Sequence, residues 1–260
     1  MNRINTLFKQ KQGSILSVYF TAGFPETDST LDVIAELSRQ GIDMIEIGIP
    51  FSDPMADGPL IQQSSQQALN KGMSLKLLFK QLEKVREITD IPLILMGYIN
   101  PVLQFGFEAF CRQAKACGID GFIIPDLPLA EYLKEFEPLA KKYELENILL
   151  ISPETPEERI RMIDAHSRGF IYMVSSASTT GPQTAFDEAK EQYFKRIQAM
   201  KLKNPCLIGF GISNKATFDS ACRHAAGAIV GSAFIRCQQA SSNTKEAVSQ
   251  LLEILESKQK

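Results

Sequence analysis

Short apolar runs recur along the whole chain: SILSVYF (14–20), DMIEIGI (43–49), PLILMGY (92–98), DGFIIP (120–125), NILLI (147–151), GFIYMV (169–174), PCLIGF (205–210) and GAIVG (227–231). Each is too short for a helix and lacks clean apolar/polar alternation, the pattern of strands buried on both faces. Between them lie amphipathic, helix-favouring segments: 28–41, 74–89, 129–143, 156–167, 185–201 and 214–225. The first of these offers Ser29 or Thr30 as an N-terminal cap and stops at Gly41. Eight strands alternating with helices require parallel pairing through crossover connections. With no low-complexity linker between the units, the pattern predicts one α/β domain over 1–260. A closed (β/α)8 TIM barrel fits it better than an open doubly wound sheet. Residues 1–13 add a short extra N-terminal helix across the barrel bottom.

Composition narrows the function classes. The chain has 260 residues, 44% hydrophobic and 22% charged, with a formal net charge of -2 and no dense Lys/Arg cluster. Nucleic acid and anionic membrane are therefore poor partners. The longest apolar stretch is too short to span a bilayer, and the N-terminus lacks a signal-peptide core, which predicts a cytoplasmic protein. Five cysteines form no C-x-x-C pair, and the two histidines, His166 and His224, sit in no metal-ligand pattern. No metal site is expected.

Four stretches carry candidate chemistry. In a barrel, reactive groups come from the C-terminal strand ends and the loops after them. Glu46 stands between Ile45 and Ile47 in the second run. Burial there would raise its pKa toward the range of a working acid/base, although a buried structural glutamate fits the same pattern. The loop PFSDPMADGP follows, where Pro50, Pro54 and Pro59 stiffen the chain around Asp53 and Asp57. Asp57 can return to the barrel mouth opposite Glu46, or merely cap the helix starting near Leu60. Late glycine turns, GFGIS (209–213) and GSAF (231–234), place Gly211, Gly231 and Ser232 after strands seven and eight, where barrels commonly bind phosphate. Finally VSSASTTGPQTAFD (174–187) is long for a strand–helix connection and reads as a lid or a plain surface loop.

Together these motifs resemble the tryptophan synthase alpha subunit family. EIGIPFSDPMADGPLIQ (46–62) is similar to its signature strand and loop, and FGIS and GSA fall where it has its phosphate turns. The resemblance runs in order from about residue 4 to residue 238. It implies a lyase that splits indole-3-glycerol phosphate into indole and glyceraldehyde 3-phosphate by a retro-aldol reaction, with no cofactor in this chain. The implied partner is a pyridoxal-phosphate-dependent beta subunit, in an alpha-beta-beta-alpha complex that receives the indole. By the same resemblance Glu46 is the general acid/base, and Asp57 bonds the indole N–H. Tyr172 stands close to Glu46, while Tyr19, Met96, Ile123 and Phe210 line the indole pocket or its rim. Gly181, Gly211, Gly231 and Ser232 contact phosphate, and Thr180 bonds the loop aspartate when the lid closes. Pro50, Asp53 and Asn100 face the beta subunit. The chain departs from many relatives at Ser176 and Ser178, where arginine and glycine are common, and at Tyr19, where phenylalanine is frequent. A stand-alone indole-releasing lyase or another phosphosugar barrel enzyme remains compatible with these residues.

Overall fold

The structure is a computed structural model that describes residues 2–175 and 186–256. Nine parallel strand segments form one sheet: β1 Ile15–Thr21, β2 Met44–Gly48, β3 Leu93–Met96, β4 Gly121–Ile123, β5 Glu146–Asn147, β6 Leu149–Ile151, β7 Ile171–Val174, β8 Cys206–Gly209 and β9 Gly227–Val230. The order is β5-β4-β3-β2-β1-β9-β8-β7-β6. Its two ends, β5 and β6, are one stretch of chain interrupted only at Ile148, whose N–H still donates to Phe122 O at 3.0 Å. The ring therefore closes on a split fifth strand, giving the eight-position barrel that the spacing predicts. All eight expected runs are strands.

Side-chain parity explains why these runs look uniformly apolar. On β1, Ile15 enters the barrel interior while Val18 and Phe20 pack outward against the helices. On β2, Met44 is interior and Ile45 and Ile47 are exterior. Both faces are buried, so both are apolar, and each large side chain removed from water contributes about 1.5–3 kcal/mol. Where a polar residue replaces an interior one, as at Ser17 and Glu46, the exception stands out.

The bottom of the barrel is plugged by the helix Arg3–Gln10, as expected for residues 1–13. Asn2 caps it, accepting from Ile4 N at 3.0 Å. Ile4, Leu7 and Phe8 reach the interior cluster, with Phe8 5.8 Å from the Phe170 ring. Buried Asp120 fastens the plug to the sheet, pairing with Arg3 at 3.2 Å and Arg86 at 2.7 Å and accepting from Leu93 N. The open end is therefore the C-terminal one.

Three local expectations need correction. Ser29 occupies the cap position of the helix Thr30–Arg39, but its hydroxyl donates back to Phe24 O and Glu26 O and makes no cap bond. The helix does end as expected, with Gly41 at φ +81 and Ile42 N bonded to Leu37 O. Segment 74–89 is broken after Leu82 and resumes as a short 3-10 turn, Val85–Glu87. Segment 129–143 contains a wide turn over Tyr132–Phe136, because Pro138 has no N–H to continue the regular ladder. Helices Pro59–Asn70, Ile99–Phe105, Phe107–Ala116, Ser232–Ala240 and Thr244–Glu256 add to the outer layer.

Candidate active site

Glu46 lies on β2 with its side chain inside the barrel and fully buried. Its Oε1 accepts from Ser17 Oγ on the neighbouring strand at 2.9 Å, and its Oε2 has no partner among the described residues. Loss of water pushes its pKa up to about 8, and the single Ser17 bond offsets only part of that. A carboxyl at this value is protonated at neutrality yet able to ionise. One oxygen is committed to Ser17 and the other is available.

Asp57 comes from the proline-stiffened loop after β2. Burial raises its pKa to about 6, and a hydrogen bond from the Tyr98 hydroxyl works against that rise. Tyr98 also accepts from Ala56 N at 3.0 Å and packs its ring 5.3 Å from Phe51, so one side chain fixes the whole loop. Sequence reasoning did not single out Tyr98. Its place at the C-terminal end of the third apolar run was the available signal, because that is where barrel loops are anchored.

A cavity of about 330 Å³ opens at the C-terminal end of the barrel. It brings together Tyr19, Asp57, Met96, Tyr172, Phe210, Gly211, Gly231 and Ser232 from widely separated parts of the chain. Ile123 is fully buried in the interior cluster, in register with Met96 of the lining on the neighbouring strand. Glu46 is next to the lining rather than part of it, in register with Tyr19 on the adjacent strand and close enough for its charge to act on both Tyr19 and Tyr172. Thr180, Gly181, Ser176 and Ser178 lie outside the described residues. The rest of the lining, which includes Pro59, Leu60, Ser213, Ala233 and Arg236, was not anticipated.

The aromatic wall depends on glycine. A Cβ at Gly48 would overlap the Tyr19 hydroxyl, and one at Gly209 would overlap that of Tyr172. The hydroxyl end of each ring thus lies over a glycine of the neighbouring strand. Tyr19 bonds Thr21, whose hydroxyl meets Ser64 Oγ at 2.6 Å, and Ser64 donates to Ile61 O at 2.9 Å. That buried chain answers the need for a partner created by tyrosine at this position. Both phenols are held well above their usual pKa, mainly by burial, and stay neutral.

The opposite end of the cavity is backbone. Phe210 and Gly211 follow β8 with φ +68 and +77, and Ser175 Oγ donates to Phe210 O at 2.6 Å. A left-handed phenylalanine costs about 1–2 kcal/mol, strain that this bond and the adjoining glycine help to hold. Gly231 precedes the helix Ser232–Ala240, and no side chain caps it. First-turn N–H groups there suit an anion.

The partner-facing expectations divide. Asp53 and Asn100 are exposed, and Met55 beside Asp53 is 85% exposed. Pro50 is buried, because it continues the strand end that also buries Ile49, so it offers no outer surface.

Comparison with known proteins agrees with this geometry. The family model described as tryptophan synthase alpha chain matches residues 6–260. A tryptophan synthase alpha chain of Parabacteroides distasonis is 56% identical over 98% of this chain and 99% of its own length. One from Flavobacterium johnsoniae is 55% identical over 94% and 96%. Among solved structures, tryptophan synthase subunit alpha of Legionella pneumophila superposes with a TM-score of 0.88 at 33% identity, covering 98% of this chain and 97% of that one. A tryptophan synthase complex from Pyrococcus furiosus gives 0.85 at 34% identity, covering 94% and 98%. With the barrel, the acidic loop and the glycine turns all in the expected order, the chain belongs to the tryptophan synthase alpha chain family.

Proposed function

We propose that this single-domain barrel cleaves indole-3-glycerol phosphate to indole and glyceraldehyde 3-phosphate, with Glu46 moving protons and Asp57 stabilising charge. One observation carries the reading. A single cavity joins a carboxylate and a wall of aromatic rings to a glycine-rich helix start, matching a flat N–H-bearing ring with a phosphorylated tail.

The chemistry follows from the two pKa shifts. Protonated Glu46 delivers a proton to the indole carbon bearing the glycerol chain, leaving a cation spread onto the ring nitrogen. Asp57, ionised above about pH 6, accepts the N–H hydrogen bond and stabilises that cation. The carbon–carbon electrons then return to the ring while the adjacent hydroxyl loses its proton to the Glu46 carboxylate, producing the aldehyde. The glutamate ends as it began. Tyr19, Met96, Tyr172 and Phe210 hold the ring, and Gly211, Gly231 and Ser232 hold the phosphate; Thr180 and Gly181 complete those contacts by resemblance.

The partner is a beta subunit carrying pyridoxal phosphate, in an alpha-beta-beta-alpha assembly of cytoplasmic amino-acid biosynthesis. Exposed Met55, Asp53 and Asn100 beside the acidic loop support that docking face. The test is indole release from indole-3-glycerol phosphate by the purified chain, alone and with a beta subunit. We expect slow release alone and at least tenfold activation by the partner. Absence of indole under both conditions would refute the assignment.

A further inference from the structure

Among the described residues, the cavity contains one cationic side chain, which the proposed chemistry leaves unused. Among the described lining residues, Arg236 is the only lysine or arginine and Asp57 is the only acid. The segment 176–185, SASTTGPQTA, carries no lysine, arginine or histidine either. A phosphate monoester bears about -1.5 to -2 charges at pH 7, whereas a helix N-terminus offers only about half a positive charge. Backbone groups alone would leave most of that charge unmatched.

Arg236 is placed to supply the difference. It lies four residues after Ser232, on the same face of the helix Ser232–Ala240. Helical side chains lean toward the N-terminus, so the guanidinium covers the turn that begins at Gly231 and Ser232. It is exposed, and it makes no ion pair or hydrogen bond among the described residues. An arginine without a competing carboxylate, above an open helix start, matches a phosphate in charge and in bidentate geometry.

We infer that Arg236 is a substrate-specificity residue of this chain, anchoring the phosphate of the three-carbon tail from the helix face. The inference rests on the proposed lyase function. Because the phosphate lies away from the bond that breaks, the contact holds ground state and transition state alike, so its loss raises KM and leaves kcat nearly unchanged.

The experiment compares wild type, Arg236→Gln and Arg236→Lys with indole-3-glycerol phosphate and with its phosphate-free analogue, indole-3-glycerol. Expected are a KM at least fivefold higher for Arg236→Gln with kcat within twofold, substantial recovery in Arg236→Lys, and no difference between wild type and Arg236→Gln on the analogue. Inorganic phosphate should bind Arg236→Gln at least fivefold more weakly by calorimetry. An active wild type with unchanged KM in Arg236→Gln overturns the inference. So does a defect of equal size on the phosphate-free analogue, which marks a general structural effect. Failure of wild type to release indole refutes the lyase reading instead, and the phosphate titration then still decides whether Arg236 binds the anion.

Discussion

Two carboxyl groups, shifted by the same cause to different extents, divide the work of the proposed reaction at the residue scale. Glu46, fully buried and with one hydrogen bond, is pushed up to about 8, while Asp57, held by Tyr98, reaches about 6. The proposed reaction needs Glu46 protonated and Asp57 ionised at its start. The protonated fraction of Glu46 is full below its raised pKa and is lost as pH rises through about 8. The ionised fraction of Asp57 is full above its own and is lost as pH falls through about 6. The pH profile of kcat/KM for indole release should therefore be a bell with limbs near these two values. A rate still rising above pH 9 would contradict the assignment of Glu46 as the initial proton donor. Sequence made Glu46 visible as a charged residue in an apolar strand. The extent of its isolation needed the fold, because Ser17 becomes its neighbour only through parallel pairing of β1 and β2.

Individual elements show which signals a linear sequence carries and which it loses. The eight strands were legible because burial on both faces makes each a short uninterrupted apolar run. The helix Ile99–Phe105 was not, since seven residues give under two full turns of pattern and its run merges with β3. The acidic loop was legible through its prolines, but its anchor Tyr98 belongs to a segment 41 residues beyond Asp57 and meets it only in the folded barrel. Ile123 read as a pocket residue from the end of its strand, where the fold pairs it with Met96 of the cavity lining and buries it. The helix Ile99–Phe105 also presents Leu103, 50% exposed, on the segment that carries Asn100. An exposed leucine on a docking face should be buried by the partner. Leu103→Glu should leave indole release by the isolated chain within twofold and weaken activation by the beta subunit at least fivefold, measured by titrating the partner into the assay. Full activation at wild-type partner concentrations would remove this helix from the interface.

For the molecule as a whole, the two ends of the barrel have opposite designs. The bottom is sealed by the helix Arg3–Gln10 and the Asp120 ion network. The top keeps a cavity whose walls depend on glycines at 48 and 209 and on a strained Phe210. Stability is concentrated below and chemistry above, as parallel barrels with loops at their C-terminal face allow. At this scale the fold was fully anticipated by the alternation of strands and helices. The cation Arg236 was not, because a lone arginine in a helix gives no sign of the cavity it overlooks. The central claim is that a proton held by Glu46 drives the carbon–carbon cleavage. Steady-state indole release by wild type and Glu46→Gln, with saturating beta subunit and substrate, tests it most directly. We predict a loss in kcat of about 10²–10⁴-fold with the fold preserved by circular dichroism, and a variant that retains the wild-type rate would contradict it.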